Sequence, residues 1–270
     1  MDIIEIERAL IKRYKNKLYN KFVKAILDYE LLQNGDVVGV CISGGKDSFV
    51  LAKMFQEYVK HGAIKIDARY LVMDPGFNKE NIDNLKLNAK KLGIPITTKE
   101  SDIFKVAEKH GKESPCYLCA RMRRGFLYQF AKEQGCNKIA LGHHFNDVIE
   151  TTLLNVFYGG TFKTMLPKLK AENFGNMELI RPMYYIEERN IINYMNYCEV
   201  EAMNCGCKIA SGVFSSKRRE IKNLIAKMKL NFKDVEKSIF QSANNVNLEC
   251  IVGWVAKGEK KSFLDEYIDK

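Results

Sequence analysis

Ser43-Gly44-Gly45-Lys46-Asp47-Ser48 gathers two hydroxyl groups, an ammonium, a carboxylate and a pair of glycines into one short stretch. It follows the apolar run Val37-Val38-Gly39-Val40-Cys41-Ile42 and leads into Phe49-Val50-Leu51-Ala52, an order that predicts strand, tight loop, helix. Adjacent glycines let backbone approach a ligand, and the first turn of a helix leaves N–H groups without partners, so the loop predicts an anion site whose natural guest is phosphate. Lys46 is placed to neutralise charge on such a phosphate. Asp47 and Asp147 are hard oxygen donors suited to Mg²⁺ beside phosphate, and each also fits a helix N-terminal cap. A second chemistry is carried by sulfur. Cys116 and Cys119 form a C-x-x-C pair after Pro115, where a helix N-terminus and Arg121, Arg123 and Arg124 favour thiolates. Cys205 and Cys207 recur in Asn204-Cys205-Gly206-Cys207-Lys208. In a chain of this kind a close cysteine pair binds metal or does redox chemistry more often than it forms a disulfide. A tetrahedral Zn²⁺ held by all four thiolates is one reading of the set. Cys41, Cys136 and Cys198 stand alone and read as small buried hydrophobes.

The elements that must position these groups alternate. Strands are expected at 37–42, 66–73, 94–98 and 138–142, and helices near 48–60, 79–92, 116–134 and 147–157. This pattern predicts an α/β fold with a mostly parallel β-sheet covered by helices on both faces. Ligands then bind beyond the carboxyl ends of the strands. Ser43 to Ser48, Asp74-Pro75-Gly76-Phe77 and Gly142 to Asp147 fall at such ends, the last segment bringing Gly142, His143 and Asp147. Of the adjacent His143 and His144, at most one is expected to approach a nucleotide. Glu150 falls one helical turn after Asp147 and can share its face. Before the sheet, residues 1–34 form a basic helical segment; the α/β domain spans 35–185; residues 186–270 form a helical appendage, with helices near 186–198, 216–229 and 232–246 and no further clear strand after about Lys163.

Lysine and arginine number 43 against 33 acidic residues, and the net charge of +10 favours polyanionic partners. The charge is concentrated. Arg8, Lys12, Arg13, Lys15, Lys17, Lys21 and Lys24 are interleaved with Leu10, Ile11, Tyr14, Leu18, Phe22 and Val23 at helical spacing, and Lys217-Arg218-Arg219 with Lys222, Lys227 and Lys229 makes a second cluster. Two separated basic helices fit a long folded RNA better than a small substrate, while Asp2, Glu5 and Glu7 argue against membrane docking. Neither a long apolar run nor a basic-then-apolar N-terminus is present, so a cytoplasmic protein is expected.

The loop lacks the four-residue spacer of a Walker motif. It resembles instead the signature of the PP-loop ATPases, which split ATP between the α and β phosphates. With Pro115-Cys116-Tyr117-Leu118-Cys119-Ala120-Arg121-Met122-Arg123-Arg124-Gly125, Lys138 to Asp147, Glu150-Thr151 and Phe157-Tyr158-Gly159-Gly160 in this order, and Arg181-Pro182 matching as well, the chain is similar to the tRNA 2-thiocytidine synthetase family from about Lys17 to about Asn245. The resemblance implies a HUP-like sheet, ATP and Mg²⁺, nucleotide contacts from Ser43, Gly44, Gly45, Lys46, Asp47, Ser48, Gly142, His143 and Asp147, and tRNA as partner. It also implies a [4Fe-4S] cluster on three thiolates: Cys116, Cys119 and one later cysteine. Family members often carry a second C-x-x-C there, whereas this chain has C-x-C, so either Cys205 or Cys207 fits. The implied reaction replaces the C2 oxygen of a cytidine at position 32 of the anticodon loop with sulfur, Asp47, Lys46, Cys116 and Cys119 carrying the chemistry. A sulfur donor such as a cysteine desulfurase system follows from that chemistry, and family members commonly form homodimers.

Overall fold

The computed structural model describes residues 1–110, 115–171, 173–203 and 213–267. Two helices, α1 (Ile3–Ile11) and α2 (Tyr19–Asp28), precede β1 (Val37–Ile42), α3 (Lys46–His61), β2 (Asp67–Asp74), α4 (Lys79–Lys91) and β3 (Ile96–Glu100). Then come α5 (Ile103–His110), α6 (Pro115–Glu133), β4 (Lys138–Ala140), α7 (Phe145–Gly159), β5 (Lys168–Lys170) and β6 (Glu178–Ile180). The chain continues through α8 (Glu188–Tyr197), α9 (Val213–Asn231), α10 (Val235–Ser242), β7 (Gly253–Ala256), β8 (Glu259–Ser262) and α11 (Phe263–Tyr267). Among the described residues no helix is long and apolar enough to cross a membrane.

The main sheet runs β3-β2-β1-β4-β6-β5, parallel throughout except for the β5–β6 pair. After β1 the chain builds outward through β2 and β3, then returns to place β4 on the other flank of β1. That reversal opens a crevice at the carboxyl ends of β1 and β4, where an open α/β sheet receives its ligand. β1 can occupy the centre because it is buried along nearly its whole length, as a run rich in valine and isoleucine permits.

One face of the sheet packs against α1, α2, α3, α4 and α8, joining Leu10, Phe22, Val40, Phe55, Leu85 and Tyr194 in one core. Phe22 meets Phe55 edge-on at 5.2 Å and Tyr58 at 5.9 Å, a favoured geometry for aromatic quadrupoles. On the other face α6 covers Cys41, Leu71 and Ile139 with Tyr128, Phe130 and Ala131. Helices α9 and α10 pack on α7 through Ile221, Ile225 and Phe240.

Two expectations need correction. The single basic helix from Arg8 to Lys24 is two helices, because Tyr14 N–H donates to Ala9 O in a wide turn that rotates the chain between them. The stretch after Lys163 does contain strands. β5 and β6 are three residues each and Lys168-Leu169-Lys170 has a loop's composition, so pairing, not propensity, makes them strands.

Candidate active site

The loop after β1 is braced from within. Ser43 N–H donates to Ser48 Oγ at 3.2 Å, and Ser48 Oγ–H donates to Gly45 O at 2.8 Å, closing the turn on the first residues of α3. Gly44 has φ +84°, and a Cβ there would lie 2.8 Å from Met203 Sδ, so the position demands glycine for both conformation and space. Met203 N–H in turn donates to Gly44 O at 3.0 Å. On the neighbouring strand end, a Cβ on Gly142 would come within 3.1 Å of the Asp47 backbone. Glycine here lets the end of β4 close against the start of α3, which brings Asp47 and Asp147 to one place.

A cavity of about 360 Å³ lies between these strand ends. Ser43, Asp47, Ser48, Gly142, His143 and Asp147 all line it, joined by Met73 from β2 and by Arg123 and Leu127 from α6. Gly44, Gly45 and Lys46 stand beside it in the loop. Lys46 Nζ lies 3.3 Å from Asp47 Oδ2 and 3.1 Å from Glu188 Oε1. Burial opposes its charge, but the two carboxylates outweigh burial and raise its pKa.

Asp47 does not cap α3; Gly45 occupies that place. Asp147 does bond its own helix start, Oδ2 accepting from His144 N–H at 3.0 Å. His144 is buried, its Nε2 lying 3.7 Å from Asp47 Oδ1 and 3.5 Å from Asp147 Oδ2, and so stands between the carboxylates. His143 faces the cavity. Burial first, then the neighbouring Arg181, pushes its pKa down to about 4, so the ring is neutral at pH 7.

Helix α9 closes the site from the far end of the chain. Arg218 reaches Asp147 at 3.7 Å and Glu150 at 3.2 Å, while Lys222 bonds Glu188 at 2.6 Å. Burial pushes the Glu150 carboxyl up to about 7, Arg218 pulling the other way. Burial also acts to raise Glu188, but Lys222 and Lys46 overcome it and hold the carboxyl at about 2. Glu188, Arg218 and Lys222 were not singled out as site residues from sequence. Arg218 and Lys222 read as part of an RNA-binding face, and only the packing of α9 on α7 reveals that they pair with Asp147, Glu150 and Glu188.

The first helix pair directs its charges differently. Lys21 pairs with Glu187 at 3.1 Å, Lys24 with Asp28 at 2.6 Å, and Arg13 lies 4.7 Å from the Tyr197 ring centre.

The residues fit a bound nucleotide and its Mg²⁺. Asp47 Oδ1, His143 Nδ1 and His144 Nδ1 are buried without a hydrogen-bond partner among the described residues, and Asp47 and His143 line the cavity. Asp47 and Asp147 are the two carboxylates from which Mg²⁺ would bridge to phosphate oxygens.

The sulfur half is seen in part. Cys116 falls at the start of α6, and Cys119, half-buried, lies one turn on, directly before Ala120 and the cavity-lining Arg123. Cys205 and Cys207 lie outside the described residues, and among those described no group of three metal-binding side chains is assembled. Cys41, Cys136 and Cys198 are buried as expected, and burial raises their thiols to about 12, 11 and 11, which disfavours them as thiolate donors.

Residues 6–203 match the model of the PP-loop domain family. The tRNA-cytidine(32) 2-sulfurtransferase of Geobacter metallireducens is 35% identical over 87% of this chain and 91% of its own length. That of Coxiella burnetii is 36% identical over 87% of this chain and 91% of its length. Among solved structures, the U34-tRNA thiolase NcsA from Methanococcus maripaludis, with its [4Fe-4S] cluster, superposes with a TM-score of 0.68 at 24% identity. The superposition covers 92% of this chain and 82% of that one, and it shows a shared fold.

Proposed function

The chain belongs to the PP-loop family and, within it, to the tRNA-cytidine(32) 2-sulfurtransferases, and from that membership we propose that it uses ATP to replace the C2 oxygen of a cytidine in a tRNA anticodon loop with sulfur. One observation carries the reading: the helix that begins with Cys116 and Cys119 also walls the cavity of Ser43, Asp47 and Asp147, through Arg123 and Leu127. An activating site and a sulfur site therefore share one wall.

ATP would bind with its phosphates over the loop from Ser43 to Ser48, where Asp47 and Asp147 would hold the Mg²⁺ that offsets phosphate charge. The cytidine C2 oxygen attacks the α-phosphorus, forming a C–O–P bond while the α,β P–O bond breaks and pyrophosphate leaves with the bonding pair. Lys46, already held cationic between Asp47 and Glu188, offsets the charge that develops on the leaving group. Sulfide then adds to C2, forming the C–S bond, and as the C2–O bond breaks AMP departs with the original oxygen and the bonding pair, which leaves the carbon a thiocarbonyl. Cys116, Cys119 and either Cys205 or Cys207 would hold a [4Fe-4S] cluster, which would supply that sulfide.

The third thiolate is supported by where its segment is anchored. Met203 is tied to Gly44 at 3.0 Å just before it, and Arg218 to Glu150 at 3.2 Å soon after it, so both flanks are fixed to the activating site. A cysteine desulfurase system in the cytoplasm suits the donor role, and a homodimer the assembly.

Nucleoside mass spectrometry of tRNA from cells lacking this protein tests the reading. Loss of 2-thiocytidine is expected; an unchanged thionucleoside profile refutes it. Anaerobic purification should give a brown, iron-containing protein, and a colourless zinc-loaded one overturns the cluster.

A further inference from the structure

A second cleft, about 700 Å³, opens between α6, β4 and the β5–β6 hairpin. It shares Arg123, Leu127, Leu141 and His143 with the nucleotide cavity, so the two adjoin across these side chains. Its volume is that of a site for a compact ligand, within the range of about 300–1,000 Å³. Tyr128 and Phe174 stack in its wall at 4.8 Å and 17°. Arg123, Arg124 and Lys170 also line it, with Met165 and Leu169. Aromatic faces among cations are what an unstacked base and its flanking phosphates require.

A second observation comes from inside. Arg181 is buried to nine-tenths and lines the cleft, and although a terminal guanidinium nitrogen donates to Leu166 O, its Nε has no hydrogen-bond partner among the described residues. A buried donor without an acceptor is costly, so a ligand that brings an acceptor is favoured there.

We infer that this cleft receives the extruded target pyrimidine, with Arg181 Nε–H donating to N3 of the base and Tyr128 and Phe174 forming its apolar wall. The inference rests on the proposed tRNA thiolation. Cytosine N3 is an acceptor, whereas uracil carries N3–H, and a guanidinium has no acceptor to offer it. Arg181 is therefore a specificity-determining residue that selects cytosine over uracil. The shared border at His143 and Arg123 lets the C2 edge of the base face the nucleotide cavity while its ring remains in the second cleft.

The experiment uses cluster-loaded enzyme prepared anaerobically and a tRNA carrying 5-iodocytidine at the target position. Irradiation is expected to join the base to a peptide containing Tyr128 or Phe174. Joining elsewhere, by an enzyme that does thiolate unmodified tRNA, overturns the pocket and leaves the thiolation reading standing. Failure of the wild-type enzyme to form 2-thiocytidine on any tRNA overturns both. Two variants extend the test. Phe174→Leu should raise the KM for tRNA about ten-fold with ATP affinity unchanged. Arg181→Gln, whose amide oxygen can accept from uracil N3–H and which is checked for folding by its melting temperature, should narrow the preference for cytidine over uridine by about ten-fold or more. An unchanged base preference in a folded Arg181→Gln protein overturns the N3 assignment.

Discussion

The two halves of the proposed site are built by different routes. Ser43 to Ser48 and Gly142 to Asp147 sit at the ends of β1 and β4, adjacent parallel strands paired from Val38–Lys138 to Val40–Ala140. Backbone pairing alone therefore places the phosphate loop beside the second carboxylate. The cysteines come instead from the start of α6 and from a segment far along the chain, just before α9. Among the described residues no ladder joins the flanks of those pieces. The flanks of the later segment are held instead by the Met203–Gly44 hydrogen bond and by Arg218 at Asp147 and Glu150. A nucleotide half built on sheet topology should tolerate loss of the sulfur half, and the reverse need not hold.

The strongest way to break that contrast is Cys119→Ser. Thiolation should be lost and iron content should fall, while ATP affinity measured with a fluorescent nucleotide stays within about two-fold of wild type. A comparable loss of ATP binding would show that the halves fold as one. The complementary change, Asp47→Asn, should lower AMP release and 2-thiocytidine formation by about 10²–10³-fold with iron content unchanged. Loss of iron in that variant would erase the distinction.

The same contrast explains what could be read from sequence. The loop after β1 was legible because a β-branched run, a glycine pair and a helical repeat are contiguous in Val37 to Tyr58, and the structure extends that helix to Lys46–His61. Helix α5 was not foreseen, and the β7–β8 hairpin was missed although Lys257 and Gly258, at φ +51° and +85°, mark its turn. Glu188, Arg218 and Lys222 were hidden for a further reason. Their partners lie far off in sequence, and a basic cluster looks the same whether it faces RNA or carboxylates. Only the docking of α9 on α7, through Ile221 and Ile225, sets Arg218 and Lys222 against Asp147, Glu150 and Glu188.

Arg218→Gln sharpens the comparison at the contact between halves. Arg218 is 44% exposed, so solvent screens much of the pair energy, yet Glu150 and Asp147 would be left facing one another without it. The expected outcome is a loss of about 1 kcal/mol in stability and a further rise of the Glu150 pKa. Arg218 touches Asp147 in the nucleotide half and lies on the helix that follows the later cysteine segment, so ATP affinity and cluster content should fall together. Loss of one without the other would assign the contact to a single half.

The smallest effect concerns Glu150 itself. Its carboxyl titrates at about 7 in the folded protein against an ordinary value of 4.5, because burial disfavours the anion more than Arg218 favours it. Between those two values the folded state binds more protons than the unfolded one, so stability must fall as pH rises from about 4.5 to about 7. Glu150→Gln removes the titrating group while keeping the shape. Urea midpoints followed across that window should decline with pH in the wild type and decline less steeply in the variant, with the curves parallel above pH 8. Identical slopes would mean that Arg218 holds Glu150 ionised throughout, and would bind α9 to the nucleotide half more tightly than the contrast allows.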